Sequence, residues 1–178
     1  MRSGEPGPFE SVVLPHLSEA YTLARYLTRN DHDAEDVVQD AFLRAYTYRD
    51  TFRGGGPESA RAWLLAIVRN TAYSWRRKLG NRVEVTAFDE AAHSEGVADQ
   101  HPEAVLLRNA GRDAIGKALD DLPPEFREAI ILREIEGLSY QEISEVVGVP
   151  TGTVMSRLSR ARDRLRRALQ PEHGGGDR

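Results

Sequence analysis

The sequence predicts an all-α protein: two small helical domains joined by an acidic linker, the C-terminal one a helix-turn-helix. Three observations predict it. Apolar residues recur at spacings of three and four over most of the chain, the spacing that gathers one face of an α-helix, and almost nothing alternates with the period of two that a half-buried strand needs. Near the middle that periodicity fades into a run of acids. Further on, a glycine separates two short helical patterns, the layout of a helix-turn-helix. With 178 residues the chain can bury one core or two small ones. We divide it into a first domain over 1–80, a linker over 81–108, a second domain over 109–170 and a disordered tail over 171–178.

In the first domain, Phe9, Val13, Leu17, Ala20, Tyr21, Ala24 and Leu27 form one apolar face, interrupted by Pro15, which marks a kink or a first turn. The stretch NDHDAEDVVQDAFLRAY opens with acids suited to the positive end of a helix dipole and sets Ala34, Val37, Val38, Ala41, Phe42 and Ala45 on one stripe. Glycines in TFRGGGPES then break the pattern before a third helix, Ala60 to Leu79, with Leu64, Ile67, Val68, Thr71, Ala72 and Trp75 facing inward. Three such helices make a small bundle. The linker carries Glu84, Asp89, Glu90, Glu95, Asp99 and Glu103 against Arg82, a composition that opposes compact packing, though it leaves room for a short helix.

Helical pattern returns in AVLLRNAGRDAIGKALDDL, is cut by Pro123 and Pro124, and resumes in EFREAIILREIEGL. In LSYQEISEVVGV, Ser139 and Glu142 form a capping box ahead of an inward face of Tyr140, Ile143, Val146 and Val147. Gly148 tolerates the positive φ of a tight turn, and Pro150 begins the next helix with its φ already set. On that last helix Val154, Leu158, Ala161 and Leu165 fall on the core side. The rest of the wheel carries Thr153, Ser156, Ser159, Arg160 and Arg167, flanked by Met155, Arg157, Arg162, Arg164 and Arg166. Arginine forks onto guanine or phosphate and short hydroxyls allow close approach to base edges, so this face suits a reader of the DNA major groove. The plainer alternative is a solubilising surface helix.

The outward face of the third helix holds Arg69, Asn70, Tyr73, Arg76 and Arg77. Cations with an interleaved ring and amide suit single-stranded nucleic acid, and equally suit a basic helix end that complements its own dipole. The whole chain is acidic, 28 Asp and Glu against 24 Lys and Arg. Any affinity for nucleic acid must therefore come from local patches, and the free protein is expected to bind duplex poorly.

Several function classes are excluded or disfavoured. There are no cysteines, so disulfides, thiolate metal sites and thiol nucleophiles are absent, and a reducing cytoplasm is the natural compartment. No run approaches the ~20 apolar residues of a membrane span, and the N-terminus has no signal core, so no membrane insertion is expected. The five histidines are scattered, FRGGGPES lacks the lysine and hydroxyl of a phosphate-binding loop, and the acids of DHDAED are explained by a helix start. We expect no enzyme, no catalytic residues, no metal and no cofactor.

Three blocks together carry a resemblance. DAEDVVQDAFLRAY (33–46), RAWLLAIVRNTAYSWRRK (61–78) and LPPEFREAIILREIEGLSYQEISEVVGVPTGTVMSRLSRARDRL (122–165) resemble, in that order, the core-polymerase-binding helix, the minus-10 and melting segment and the minus-35-reading domain of the bacterial extracytoplasmic-function (ECF, group IV) RNA polymerase sigma factors. The resemblance implies that Asp36, Gln39, Asp40, Leu43 and Arg44 dock on core RNA polymerase. It implies that Asn70 meets an extruded minus-10 base, extrusion costing a few kcal/mol, while Arg76 and Arg77 hold the opened strand; Arg69 and Tyr73 on the same face complete the minus-10 set. Minus-35 contacts would fall to Thr153, Met155, Ser156, Arg157, Ser159, Arg160 and Arg162; Met155 and Ser159 depart from some relatives, so base preference does not transfer. It further implies promoter DNA and an anti-sigma factor as partners, with Phe88 near the linker a candidate contact for the latter. The competing reading, a freestanding helix-turn-helix regulator, leaves the 33–46 and 61–78 blocks without work.

Overall fold

The computed structural model describes residues 8–80 and 102–170, and every regular element among them is helical. α1 (Pro8–Val13) passes through a 3₁₀ turn at Leu14–His16, where Pro15 supplies the expected bend, into α2 (Leu17–Thr28). Arg29 ends α2 in the left-handed region at φ 63°. Asn30 then starts α3 (Asp31–Thr47), its side chain accepting a hydrogen bond from the Asp33 amide at 3.0 Å, with Asp31 and Asp33 in the dipole-favoured first turn.

After a second 3₁₀ turn at Arg49–Thr51, glycines 54–56 all take positive φ, and a Cβ on Gly55 would meet the Ser59 hydroxyl at 2.6 Å. α4 (Pro57–Gly80) begins three residues before the periodicity does, because proline is at home in a first helical turn. α5 (Pro102–Asp120) starts within the stretch assigned to the linker, and two prolines separate it from α6 (Pro124–Ile130). α6 runs on as a π-helical turn over Ile131–Ile135, then Gly137 at φ 68° redirects the chain into α7 (Tyr140–Val147) and α8 (Thr151–Leu169). The acidic stretch 81–101 with Phe88, and the tail 171–178, lie outside the described residues.

α2, α3 and α4 pack on one another through Ala20, Leu23, Ala24, Leu27, Val37, Ala41, Leu64, Leu65 and Val68, all fully buried. The alanines let helix axes approach closely. α6, α7 and α8 close a second cluster around Ile131, Leu132, Leu138, Ile143, Val154, Leu158 and Ala161. The two clusters touch: α4 lies against α7 and α2 against α6, so the buried residues of both form one continuous core. Burial at about 25 cal/mol per Å² of apolar surface makes that continuity the main cohesive term.

Candidate nucleic-acid interface

The helix-turn-helix is assembled as its residues dictate. The Ser139 hydroxyl accepts from the Glu142 amide at 3.2 Å and the Glu142 carboxylate accepts from the Ser139 amide at 2.7 Å, which completes the capping box. Gly148 takes φ 73° and its amide donates to the Ser144 carbonyl at 2.9 Å, ending α7. Pro150 is the N-cap of α8, with Val154, Leu158 and Ala161 turned into the core and Leu165 packed at its edge. Met155, Ser156, Ser159 and Arg160 are exposed on the opposite side, with Thr153 half-buried beside them. Arg162 reaches back instead, donating from Nη2 to Glu134 Oε1 at 2.6 Å.

On α4, Asn70 and Arg77 are exposed, and Arg77 donates to the Ser74 hydroxyl at 3.3 Å. Arg76 is half-buried. Arg69 and Tyr73 turn toward the other half of the molecule. Arg69 donates from Nε to Glu128 Oε2 at 2.7 Å and from Nη2 to Oε1 at 3.0 Å, a bidentate fork, and the Tyr73 hydroxyl donates to Oε2 at 3.0 Å. From α8, Arg157 brings Nη1 to 3.7 Å from Oε1 of the same carboxylate. Three residues assigned from sequence to two separate DNA faces thus converge on one carboxylate, which is itself fully buried.

Electrostatics follow from that burial. Desolvation pushes the Glu128 carboxyl up from its ordinary range, against Arg69, Tyr73 and Arg157, which pull it down. Burial also raises the Tyr73 phenol, and the neighbouring Glu128 charge and hydrogen bond raise it further. For Arg69, burial works against the charged form, but the Glu128 bonds and charge outweigh it and raise its pKa.

Sequence reasoning passed over Glu128. The signal was present: Glu128 stands three and four residues before Ile131 and Leu132, both fully buried, so a carboxylate occupies an inward position of an apolar helix. Arg127 was passed over too. It is 2 % exposed, and its guanidinium donates to the carbonyls of Leu119 (2.9 Å), Asp120 (2.6 Å) and Leu122 (2.8 Å) at the α5–α6 corner and to that of Tyr26 on α2 (3.4 Å).

The α3 residues form a separate surface on the far side of that helix from its buried stripe. Asp40 and Arg44 pair at 3.1 Å one turn apart, Asp36 lies 3.9 Å from His32, Gln39 is exposed, and Leu43 keeps 69 % of its surface in contact with solvent. A bare leucine between charges, with Tyr46 and Tyr48 also exposed nearby, has the makeup of a protein-docking face. Among the described residues no three acids or histidines gather as a metal site, and no helix is long and apolar enough to cross a membrane.

A small helical bundle with a cationic α4, followed by a helix-turn-helix, is the layout of a two-part DNA-binding factor. Residues 12–82 match the model for Sigma-70 region 2, and residues 112–165 match that for Sigma-70, region 4. The RNA polymerase sigma-H factor of Pseudomonas aeruginosa is 35% identical, over 96% of this chain and 91% of that protein. The ECF RNA polymerase sigma-E factor of Escherichia coli is 32% identical, with the same coverage of each. ECF RNA polymerase sigma factor SigE of Mycolicibacterium smegmatis is 37% identical over 89% of this chain, which spans 60% of that longer relative. Among solved structures, the sigma factor RpoE of Bartonella quintana, crystallised with the anti-sigma factor NepR, superposes with a TM-score of 0.71 at 32% identity, covering 92% of this chain and 98% of that one. CnrH in complex with the cytosolic domain of CnrY gives a TM-score of 0.62 at 28% identity, covering 93% and 90%. The chain belongs to the ECF RNA polymerase sigma factors. It directs RNA polymerase to promoters, and the α3 and α4 blocks that a freestanding regulator leaves idle are part of the match.

Proposed function

We propose that the chain acts in the cytoplasm as a group IV sigma factor without catalytic chemistry of its own, with 1–80 as sigma domain 2 and 109–170 as sigma domain 4, joined through 81–108. In this reading the α3 face of Asp36, Gln39, Asp40, Leu43 and Arg44 docks on core RNA polymerase. Asn70 takes an extruded minus-10 base while Arg69, Tyr73, Arg76 and Arg77 hold the separated strand by stacking and phosphate pairing. α8 enters the minus-35 major groove, where Thr153, Met155, Ser156, Ser159 and Arg160 reach base edges and Arg157 and Arg162 reach phosphates. A protein of the anti-sigma class, as NepR is in its complex with the Bartonella quintana sigma factor, silences it.

The observation that carries the reading is the exposed row Met155, Ser156, Ser159 and Arg160 on a helix whose opposite side is locked into the core by Val154, Leu158 and Ala161. The test is reconstitution: purified chain, core RNA polymerase and promoter DNA, with transcripts scored. Initiation at defined sites that requires the chain is expected. Tight operator binding without polymerase, and no initiation, would overturn the reading.

A further inference from the structure

We infer that Glu128 is an internal latch that holds the two halves together by occupying, with one buried carboxylate, the DNA-directed groups Arg69 and Tyr73 of α4 and Arg157 of α8. The geometry is that of a stand-in for phosphate. A carboxylate and a phosphate both accept the parallel N–H pair of a guanidinium, and Arg69 gives that pair to Glu128 at 2.7 and 3.0 Å. A guanidinium engaged in this way cannot serve a strand of DNA at the same time. Arg157 adds an ion pair, its Nη1 3.7 Å from Oε1, the oxygen that also accepts from Arg69 Nη2, so the carboxylate engages both promoter-facing helices. This inference rests on the function proposed above, since it takes Arg69, Tyr73 and Arg157 to be DNA ligands.

Other cross-links between the halves among the described residues are ordinary by comparison. Arg61 donates to the Glu136 carbonyl at 2.8 Å, Arg127 reaches the Tyr26 carbonyl at 3.4 Å, and the Arg29–Asp120 pair at 3.5 Å is solvent-exposed on both sides. None of them uses a group assigned to DNA. Apolar contact between α4 and α7 supplies cohesion, and the Glu128 cluster supplies the link to function: closing the halves withdraws Arg69 and Tyr73, separating them returns both, and Arg157, which shares a half with Glu128, is freed only when the carboxylate loses its charge. Asn70, Arg77, Met155, Ser156, Ser159 and Arg160 stay outward in the closed form. The latch therefore removes part of each face and leaves the rest ready.

The absence of cysteine makes the test clean, because nitroxide labels go only where cysteines are introduced. Labels at Glu35→Cys on α3 and Glu145→Cys on α7, both exposed, report the separation of the halves in the full chain by electron–electron double resonance. One narrow distance distribution is expected without further change, and a second, longer component with Glu128→Gln, which keeps the shape and removes the charge. In the same protein, affinity for a forked promoter carrying both elements should rise about tenfold, a shift of roughly 1.4 kcal/mol. An unchanged narrow distribution in Glu128→Gln overturns the latch and leaves the DNA assignments standing. A longer distance without tighter binding overturns the masking, and locates the error in the assignment of Arg69 and Arg157 to DNA. Should Glu128→Gln fail to fold, Tyr73→Phe removes a single latch hydrogen bond and is read by distance alone; a partial second component is expected, and an unaltered distribution counts against the latch.

Discussion

At the scale of single residues, the charged groups at buried positions decide more than their number implies. Tyr73 provides a direct reading of this. Its folded-state pKa lies above the ordinary phenol value, chiefly through burial and then through the Glu128 charge and hydrogen bond. The sign follows from linkage: the unfolded chain loses this proton near pH 10 while the folded chain retains it, so the stabilising contribution is intact below that pH and is lost as the pH rises. Tyr73 and Tyr21 are expected to ionise above the ordinary phenol range when absorbance near 295 nm is followed on titration with base, and Glu128→Gln should lower the Tyr73 transition and leave that of Tyr21, which is raised by burial and by Asp31 and Glu35. Arg127 offers a second test. Replacing it with Met leaves the Asp120 and Leu122 carbonyls without the Arg127 donor and the Leu119 carbonyl with the Leu122 amide alone, a loss of about 3 kcal/mol that a urea midpoint would register. On the exposed face, Arg160→Ala should weaken use of the preferred promoter by about 1 to 3 kcal/mol in reconstituted transcription if the side chain forks onto a base. Unchanged promoter preference would assign it to phosphate.

At the scale of elements, the termini carry the instructions. Gly148 holds φ 73° with no neighbouring atom within 4 Å of a built Cβ, so the cost of Gly148→Ala comes from backbone conformation alone, about 1 to 2 kcal/mol in thermal unfolding. Arg29 sits at φ 63° as a non-glycine, and its ion pair with Asp120 is exposed and weak. Arg29→Gly is therefore expected to raise stability by up to about 1 kcal/mol, and a lower melting temperature would show that the ion pair outweighs the strain. These termini were legible in the sequence: the Ser139–Glu142 box, Gly148 with Pro150, the acids ahead of α3 and Pro15 all act where local chemistry placed them. The π-helical turn at Ile131–Ile135 was not legible. An apolar run such as AIILREI satisfies an α-helix equally well, and the extra residue per turn is set by packing against α2 and α7.

At the scale of the whole molecule, periodicity located both helical clusters but carried no information on whether they touch. Apolar stripes say that a face is buried and leave its partner unnamed, and the polar cross-links that mark the contact between halves, such as those of Glu128 and Arg61, are averaged away by periodicity. The same blindness explains the candidate site. Exposed members, Asn70, Arg77, Ser156, Ser159 and Arg160, stood out on helical wheels, while the inward turn of Arg69 and Arg157 depends on a carboxylate 59 residues from the first of them. Closure has a consequence that salt can measure. Each phosphate neutralised releases counterions and steepens the fall of log affinity with log salt by about 0.9 on duplex and about 0.7 on single strands. If opening returns Arg69 to the melted strand and loss of the Glu128 charge frees Arg157 for duplex, Glu128→Gln should bind a forked promoter with a slope steeper by roughly 1.6 than the unmodified chain, measured by fluorescence anisotropy across a salt series. Unpaired exposed arginines elsewhere contribute equally to both proteins and cancel in the difference. A parallel pair of lines, in a variant whose label distances show that the halves have opened, would mean that neither arginine meets phosphate.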